Sequence, residues 1–505
     1  MMHARKPRCA ALVALLAVGL HACGAPPPTS TLIVNASILD GTGSPARPGA
    51  VRIDGDRIVE VGALEPERGE AVVDAKGFAL APGFIDVHSH HEEGLFEMRD
   101  ATPVVSQGVT TIVAGQDGSM TYPVRELFER MEKTPAAINV ATFVGHGNLR
   151  IDAMGEEDYR RHATPEEVEK MRLGVEDGMK AGALGLATGL EYDPGIYSAS
   201  EEVIDLAKEA ARHGGRYISH VRSEDREFWA ALDEIVRIGR EARIPVQVTH
   251  MKLAMKDWWG QSARFLGILD KARAEGIDIT GDIYPYEFWH SGLTVLFPKR
   301  DFKNRETAQF VLDHVTPADG IILTDYSPEP ALVGKSLAEI ARAKGTDPAV
   351  ELMDLIARSQ GKGDTESIMG KGMVEKDIDV LIAWPFASIC SDGALDSLHP
   401  RGRGAFTKVL REYVREKKVL PLEEAIRKMT GLSAANVGIA DRGTIRPGAY
   451  ADLVLFDPET VADRSTFEDP KALSVGIDKV WVNGVAVWQD GKATGAHPGR
   501  GLKRP

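Results

Sequence analysis

Pro82–Gly83–Phe84–Ile85–Asp86–Val87–His88–Ser89–His90 is the stretch on which the reading of this chain turns. It is a short apolar run that ends in a His-x-His pair. Alternate residues of a strand point the same way, so His88 and His90 can aim two imidazoles at one point. Three later residues, His220, His250 and Asp392, each also follow an apolar run directly. In a barrel of alternating strands and helices, catalytic groups sit at such strand ends. Four histidines and one carboxylate converging there suit a hydrolytic zinc site.

Outward from these residues the chain alternates helix and strand. Thr164–Pro165–Glu166–Glu167 is a capping box with proline at the first helical position, and the helix it opens runs to about Lys180, before Gly182. Ala183–Leu184–Gly185–Leu186–Ala187–Thr188 reads as the next strand. Ser198-x-x-Glu201 opens a second helix, which stops at Gly214–Gly215. Arg216–Tyr217–Ile218–Ser219–His220 is a strand, a helix runs from about Glu224 to Ala242, and Ile244–Pro245–Val246–Gln247–Val248–Thr249–His250 repeats the pattern. Such units imply parallel strands with right-handed crossovers, in an open doubly wound sheet or a closed barrel. Ligands on several separate strand ends favour the α/β fold of a (β/α)8 TIM-type barrel, over residues 83–439. Lys299–Asp377 is charged and rich in turn residues. It reads as an insertion (299–377) that covers the site, or else as barrel helices with long loops.

Both chain ends have a different texture. Leu32–Ile33–Val34, Ala50–Val51–Arg52–Ile53 and Arg57–Ile58–Val59–Glu60–Val61 are short strands, and Asp54–Gly55–Asp56 is a hairpin signal. Gly448–Phe456 and Lys479–Gly484 have the same character. We infer one small β-sandwich domain built from residues 31–82 and 440–505; two separate β domains are the alternative.

The composition is that of a globular protein of more than one domain, with 505 residues, 43% hydrophobic and 27% charged. A net charge of −14 and the lack of a basic stripe argue against nucleic acid as a partner. His3, Arg5, Lys6 and Arg8 precede an apolar run from Ala10 to Leu20, which is too short for a spanning helix but suits a signal peptide. Leu20–His21–Ala22–Cys23–Gly24 resembles a bacterial lipobox. It assigns residues 1–23 to a lipoprotein signal, Cys23 to lipidation and 24–30 to an extended tether. The expectation is an exported lipoprotein at the periplasmic face of a membrane, touching the bilayer only through its lipid; ordinary signal cleavage nearby is the alternative. With Cys9 and Cys23 so placed, Cys390 stands alone, and no disulfide framework is available. It reads as a small buried residue beside the site.

The chain resembles the amidohydrolase superfamily, and within it the N-acyl-D-amino-acid deacylases. The resemblance covers nearly everything after residue 30. It rests on Ala81–His90, Gln107–Gly108–Val109–Thr110–Thr111–Ile112–Val113, Thr188–Gly189–Leu190–Glu191–Tyr192, His220–Val221–Arg222–Ser223–Glu224, Thr249–His250–Met251–Lys252, Cys390–Ser391–Asp392–Gly393 and His399–Pro400–Arg401. It implies one or two zinc ions at the barrel mouth, with His88 and His90 at one metal position, His220 and His250 at the other, and Asp392 touching metal and acting as general base. The family usually places a ligating cysteine in a Gly-Asn-Cys-Gly turn. Here the matching turn is Gly115–Gln116–Asp117–Gly118, so Asp117 is a candidate ligand or bridge through a harder oxygen. The strand ending at Thr188 carries no lysine to be carboxylated, and Glu191 just beyond it is the second candidate for the bridge. Family substrates keep a free carboxylate, which needs cations. Lys252 and Arg222, each two residues beyond a ligand histidine, and Arg401 and Arg403 are the candidates. His146, Tyr192, Tyr284 and His399 are candidate substrate contacts.

The resemblance therefore implies a zinc-dependent hydrolase that releases an amino acid, of D configuration, from an N-acyl-D-amino acid or a short peptide with a C-terminal D-residue. Two alternatives stand beside it. One is a cyclic amidohydrolase of the hydantoinase or dihydroorotase type, disfavoured by the missing strand-end lysine. The other is a non-catalytic peptide-binding lipoprotein, hard to reconcile with an intact set of ligand residues. Trp258–Trp259 could wall a pocket or simply pack in the core.

Overall fold

The structure is a computed structural model and describes residue 1 and residues 30–504. The leader, the lipobox with Cys23 and the tether up to residue 29 lie outside the described residues. No helix among the described residues is long and apolar enough to cross a membrane.

Eight parallel strands form the barrel: Phe84–Asp86, Val109–Ala114, Asn139–Thr142 continued by Val144–Gly145, Gly185–Gly189, Arg216–His220, Val246–Val248, Ile279–Ile283 and Ala387–Ile389. Strands such as Val109–Ala114 and Gly185–Gly189 are buried throughout, because helices cover the outside and side chains fill the inside. The seam between the eighth and first strands lies at the site. There the Asp392 N–H donates to the His88 carbonyl at 2.9 Å, and the Ser391 N–H donates to the Asp86 carboxylate at 2.9 Å.

The outer helices follow their local signals. Thr164 caps Pro165–Ala181 in a reciprocal box with Glu167, and Gly182 ends that helix at φ +115°. Ser198 departs from expectation. The next helix, Ser200–Arg212, has no side-chain cap, because the Ser198 hydroxyl donates to the Gly195 carbonyl at 2.7 Å instead.

The chain ends meet in one sheet. Ala79–Pro82 is its centre, running parallel to the end of Ser30–Ile38 and antiparallel to Leu453–Phe456. Arg47–Asp54 and Arg57–Gly62, joined through Gly55 at φ +56°, extend one side, and Ile477–Val482, Val485–Gln489 and Lys492–Ala493 extend the other. Its core joins Ile33, Val51 and Leu80 to Leu453, Leu455 and Trp481.

A third unit interrupts the barrel between its seventh and eighth strands. Phe288–Ser291, Ile321–Tyr326 and Glu366–Lys371 pair into an antiparallel sheet, backed by helices and by a separate core that includes Trp289, Leu296, Leu323, Leu352 and Ile356. This unit begins before Lys299, since its entry strand follows closely on the seventh barrel strand with no charged break to mark it. It also ends earlier than Asp377, because the helix Glu375–Ala383 already leads back to the eighth barrel strand.

Candidate metal centre

His88 and His90 lie just past the first strand, His220 ends the fifth, His250 follows the sixth and Asp392 follows the eighth. All open into one cavity of about 520 Å³ at the barrel mouth, except His88, which sits beneath it. Asp117 comes from the turn after the second strand. Gln116 pins that turn, its side-chain amide donating to the Val87 carbonyl at 2.9 Å. A Cβ on Gly115 would lie 2.6 Å from the Phe143 carbonyl oxygen, so only glycine fits there. Asp117, His250 and Asp392 all hold left-handed backbone, at φ +53°, +33° and +50°. That is strain of the kind concentrated at functional sites.

The donor atoms form two sets that share Asp117. Asp117 Oδ2 lies 3.6 Å from His88 Nε2 and 3.4 Å from His90 Nε2, and Asp392 Oδ1 is 3.5 Å from both imidazoles. On the other side Asp117 Oδ1 lies 3.5 Å from His250 Nε2, which is 3.0 Å from His220 Nδ1. Within each set the donors are within 4.8 Å of one another. Bonds of ~2.0–2.1 Å to a tetrahedral ion put ligand atoms about 3.3 Å apart, so this spacing fits a metal. Both ring nitrogens of His88 and Oδ1 of Asp117 are buried with no hydrogen-bond partner. Orphaned buried donors call for a ligand; His88 Nε2 opens toward one donor set and Asp117 Oδ1 toward the other.

Glu191 takes a different place from the one expected of a bridge. Its Oε2 accepts from His220 Nε2 at 2.9 Å, the ring nitrogen turned away from Asp117. It belongs to a third cluster with His220 and Glu224. The shared position between the two histidine pairs is therefore held by Asp117, and Glu191 fixes the His220 ring so that Nδ1 faces inward. Glu191→Gln is expected to weaken metal binding ~10–100-fold, the usual cost of losing an outer-shell partner, as measured by competition with a chromogenic chelator.

Two carboxylates here escaped the reading of the sequence. Asp282, on the seventh strand, accepts the His250 backbone N–H at 2.6 Å and the Gln247 amide at 2.6 Å, and stands 3.6 Å from His88 Nδ1. Glu224 accepts from Lys252 Nζ at 2.7 Å. The alternation of strand residues signalled Asp282, but nothing marked it off from a core position.

Of the expected substrate contacts, Tyr192, Lys252 and Arg401 line the cavity. Tyr192 lies over the His220 ring, with centroids 4.3 Å apart. Lys252 Nζ also lies 2.6 Å from His250 Nδ1, and Arg401 Nη1 lies 2.6 Å from Asp392 Oδ2. The other five do not line it. His146 is buried with Nε2 on Glu202 at 2.8 Å, beside Arg150. Arg222 is held by both oxygens of Glu234 at 2.8 Å and by the Ser198 carbonyl. Arg403 donates to the Leu395 carbonyl. It sits two residues along the helix Arg401–Lys408 from Arg401, and residues at that spacing do not share a helix face. Tyr284 is buried beneath the Arg401 guanidinium, 4.8 Å from its ring centroid. His399 is a support: its Nδ1 accepts the Arg401 backbone N–H at 3.1 Å, and Nε2 meets the Phe288 carbonyl at 3.0 Å. Trp258 is also turned away, its indole N–H donating to the Asp225 carbonyl at 2.8 Å. Cys390 is fully buried, and burial raises its thiol well above the usual range.

The electrostatics pit burial against charge pairing. Burial alone would raise Asp117 and Asp392. The histidines around Asp117, and Arg401 with His88 at Asp392, overcome it and hold both carboxylates well below the ordinary range. Burial would likewise lower His88, yet Asp117 and Asp392 raise it to about 10. A proton thus occupies the ring wherever a cation does not, and below that pH a metal must displace it. Metal affinity is therefore expected to rise between pH 6 and 9, about tenfold per unit for each proton displaced. Titrating the metal-free protein at several pH values, with proton release followed in weak buffer, checks this.

Imidazole and carboxylate donors gathered at the mouth of a parallel barrel define a metal-dependent hydrolase. The amidohydrolase family model matches residues 71–310 and 388–488, and the chain belongs to that family. The unmatched stretch between them falls mostly in the inserted unit. D-aminoacylase of Alcaligenes xylosoxydans xylosoxydans is 37% identical, covering 94% of this chain and 98% of its own length. N-acyl-D-aspartate deacylase of the same organism is 35% identical over 95% of this chain and 96% of its own. Among solved structures, N-acyl-D-glutamate deacylase from Bordetella bronchiseptica, complexed with zinc and a phosphonate mimic of the tetrahedral intermediate, superposes with a TM-score of 0.84. It is 34% identical and covers 94% of this chain and 99% of that one.

Proposed function

We propose that this protein hydrolyses the amide bond of N-acyl-D-amino acids, or of short peptides with a C-terminal D-residue, using zinc held by His88, His90, Asp117, His220, His250 and Asp392. The observation that carries this is the pair of facing histidine sets joined through Asp117, with buried donors left unpaired. The relatives with matching length and fold supply the substrate class, since each is named for an N-acyl-D-amino acid or its acylase activity. Open-chain amides are thus favoured over rings.

Bound zinc would supply a water acidic enough to attack at neutral pH and positive charge for the developing oxyanion. The rest falls to the chain. Asp392, kept ionised by Arg401, accepts the proton of the attacking water and passes it to the departing amine nitrogen, which is too basic to leave as an anion. Lys252 and Arg401 are the lysine and arginine of the cavity lining and offer positive charge to the substrate carboxylate. The inserted unit, which supplies Trp289, Leu296 and Val315 to the lining, narrows solvent access.

A panel of zinc-loaded enzyme against N-acetyl-D- and L-amino acids, mixed-chirality dipeptides and hydantoins tests the reading. Faster cleavage of L substrates, or ring opening without deacylation, would overturn it. We further propose that Cys23 carries lipid and anchors the enzyme at the periplasmic face. The lipobox-like Leu20–Cys23 supports this, and a Cys23→Ala chain that still fractionates with membranes would remove it.

A further inference from the structure

We propose that the enzyme selects a neutral, apolar side chain on the released D-residue, and that the inserted unit reads that side chain through Trp289, Leu296 and Val315. The proposal rests on the deacylase reading above and narrows it. The relatives include enzymes named for D-aspartate and D-glutamate, so the family leaves the side chain open.

Four observations converge. First, the insertion gives the cavity an apolar group, Trp289, Val295, Leu296 and Val315, beside its own His290 and Ser291, and Ala254 joins it from the loop after the sixth strand. Second, this wall is set in place before any ligand arrives. Trp289 pairs with Gly370 across the insertion's antiparallel ladder, and a Cβ on either Gly370 or Gly372 would collide with the indole. Glycine at both positions lets the ring lie flat against the strand, and Trp289 and Leu296 belong to one packed core.

Third, the wall lies where the side chain must fall. Ala254 is two residues beyond Lys252 in the same loop, and Gly372, against which the indole packs, approaches Ala254 to 3.5 Å from its would-be Cβ. Lys252 therefore adjoins the wall. With the α-carboxylate on Lys252, the side chain on the same carbon meets the wall, whereas the acyl group lies across the scissile bond.

Fourth, a second carboxylate finds no welcome. Lys252 and Arg401 are the only lysine and arginine among the described lining residues, and the α-carboxylate draws on that charge, which Glu224 and Asp392 already share. Arg300, behind the lining, is held by Asp193 at 2.8 Å and by the Glu191 carbonyl at 3.1 Å. Glu93, Asp225 and Asp396 add negative charge to the lining. An acidic side chain would thus lose its water against an apolar wall with no free cation to replace it.

The test is kcat/KM of the zinc-loaded enzyme for N-acetyl-D-leucine, -D-phenylalanine, -D-aspartate and -D-glutamate, together with N-hexanoyl-D-leucine. The apolar substrates are expected to lead the acidic ones by ~100-fold or more, as for a site that leaves a buried polar group unpaired. Trp289→Ala is expected to lower kcat/KM for N-acetyl-D-leucine ~10–100-fold and Trp289→Phe much less. Leu296→Arg is expected to shrink or invert the apolar-to-acidic ratio. Zinc content at the wild-type level shows that each variant has folded around its metal. An acidic substrate equal to or better than D-leucine in the wild type would overturn the proposal while leaving the deacylase reading intact. So would variants that alter the dependence on acyl length but not the side-chain ranking. No cleavage of any N-acyl-D-amino acid would instead sink the deacylase reading and this proposal with it.

Discussion

Asp392→Asn is expected to cut kcat by about 10³-fold, within the 10²–10⁴ range for loss of a positioned general base. The geometry makes this substitution informative. Asp392 stands 3.5 Å from the ring nitrogens of both His88 and His90, so it is placed both to touch a cation and to reach the water on it. Asparagine keeps an oxygen at that point but cannot take up a proton. Arg401, 2.6 Å away, holds the native carboxylate ionised and ready to accept. Metal analysis should therefore show zinc largely retained while turnover collapses. Equal loss of zinc and activity would make Asp392 a ligand alone, and unchanged turnover would remove it from the chemistry.

Asp117→Ala is expected to be as damaging, by another route. Its two oxygens face opposite histidine pairs, Oδ2 toward His88 and His90 and Oδ1 toward His250. Alanine takes an anionic donor from both sets at once. Affinity should fall by more than the ~10–100-fold seen when only an outer-shell partner is lost. Equilibrium dialysis should then show less than one firmly held zinc per chain, with activity restored only at high added metal. Unchanged stoichiometry and turnover would exclude Asp117 from the centre. Asp117→Asn separates charge from shape, since it keeps the donor oxygen while removing the anion that holds the histidine protons in place.

The barrel and the gathering of histidines and carboxylates at its mouth were legible because periodicity and position carry them. Histidines ending apolar runs at several strand ends admit few other arrangements, and the capping box at Thr164 behaves as its residues require. The substrate-side residues were read less well, for a definite reason. Alternation holds only while the chain stays extended. The strand at His220 ends there, so Arg222 two residues on turns to Glu234. The kink at His250 happens to leave Lys252 facing the cavity. The apolar wall was missed because Trp289 reads like any buried aromatic, while the neighbouring tryptophans Trp258 and Trp259 drew attention and line nothing in the cavity. What distinguishes Trp289 is its register with Gly370, eighty-one positions away, which no local pattern reveals.

The shared sheet has a consequence for how the molecule is made. Ala79–Pro82 leaves the ribosome early, but its antiparallel neighbour Leu453–Phe456 is translated only after the entire barrel, and Asn483 then ties the last strands to Asn139 at 2.8 Å. The small unit must stay half-built while the larger one is synthesised, contrary to the usual progress from the N-terminus. Nascent chains cut short before residue 453 should therefore remain protease-sensitive over residues 30–82, however well their barrel strands have condensed.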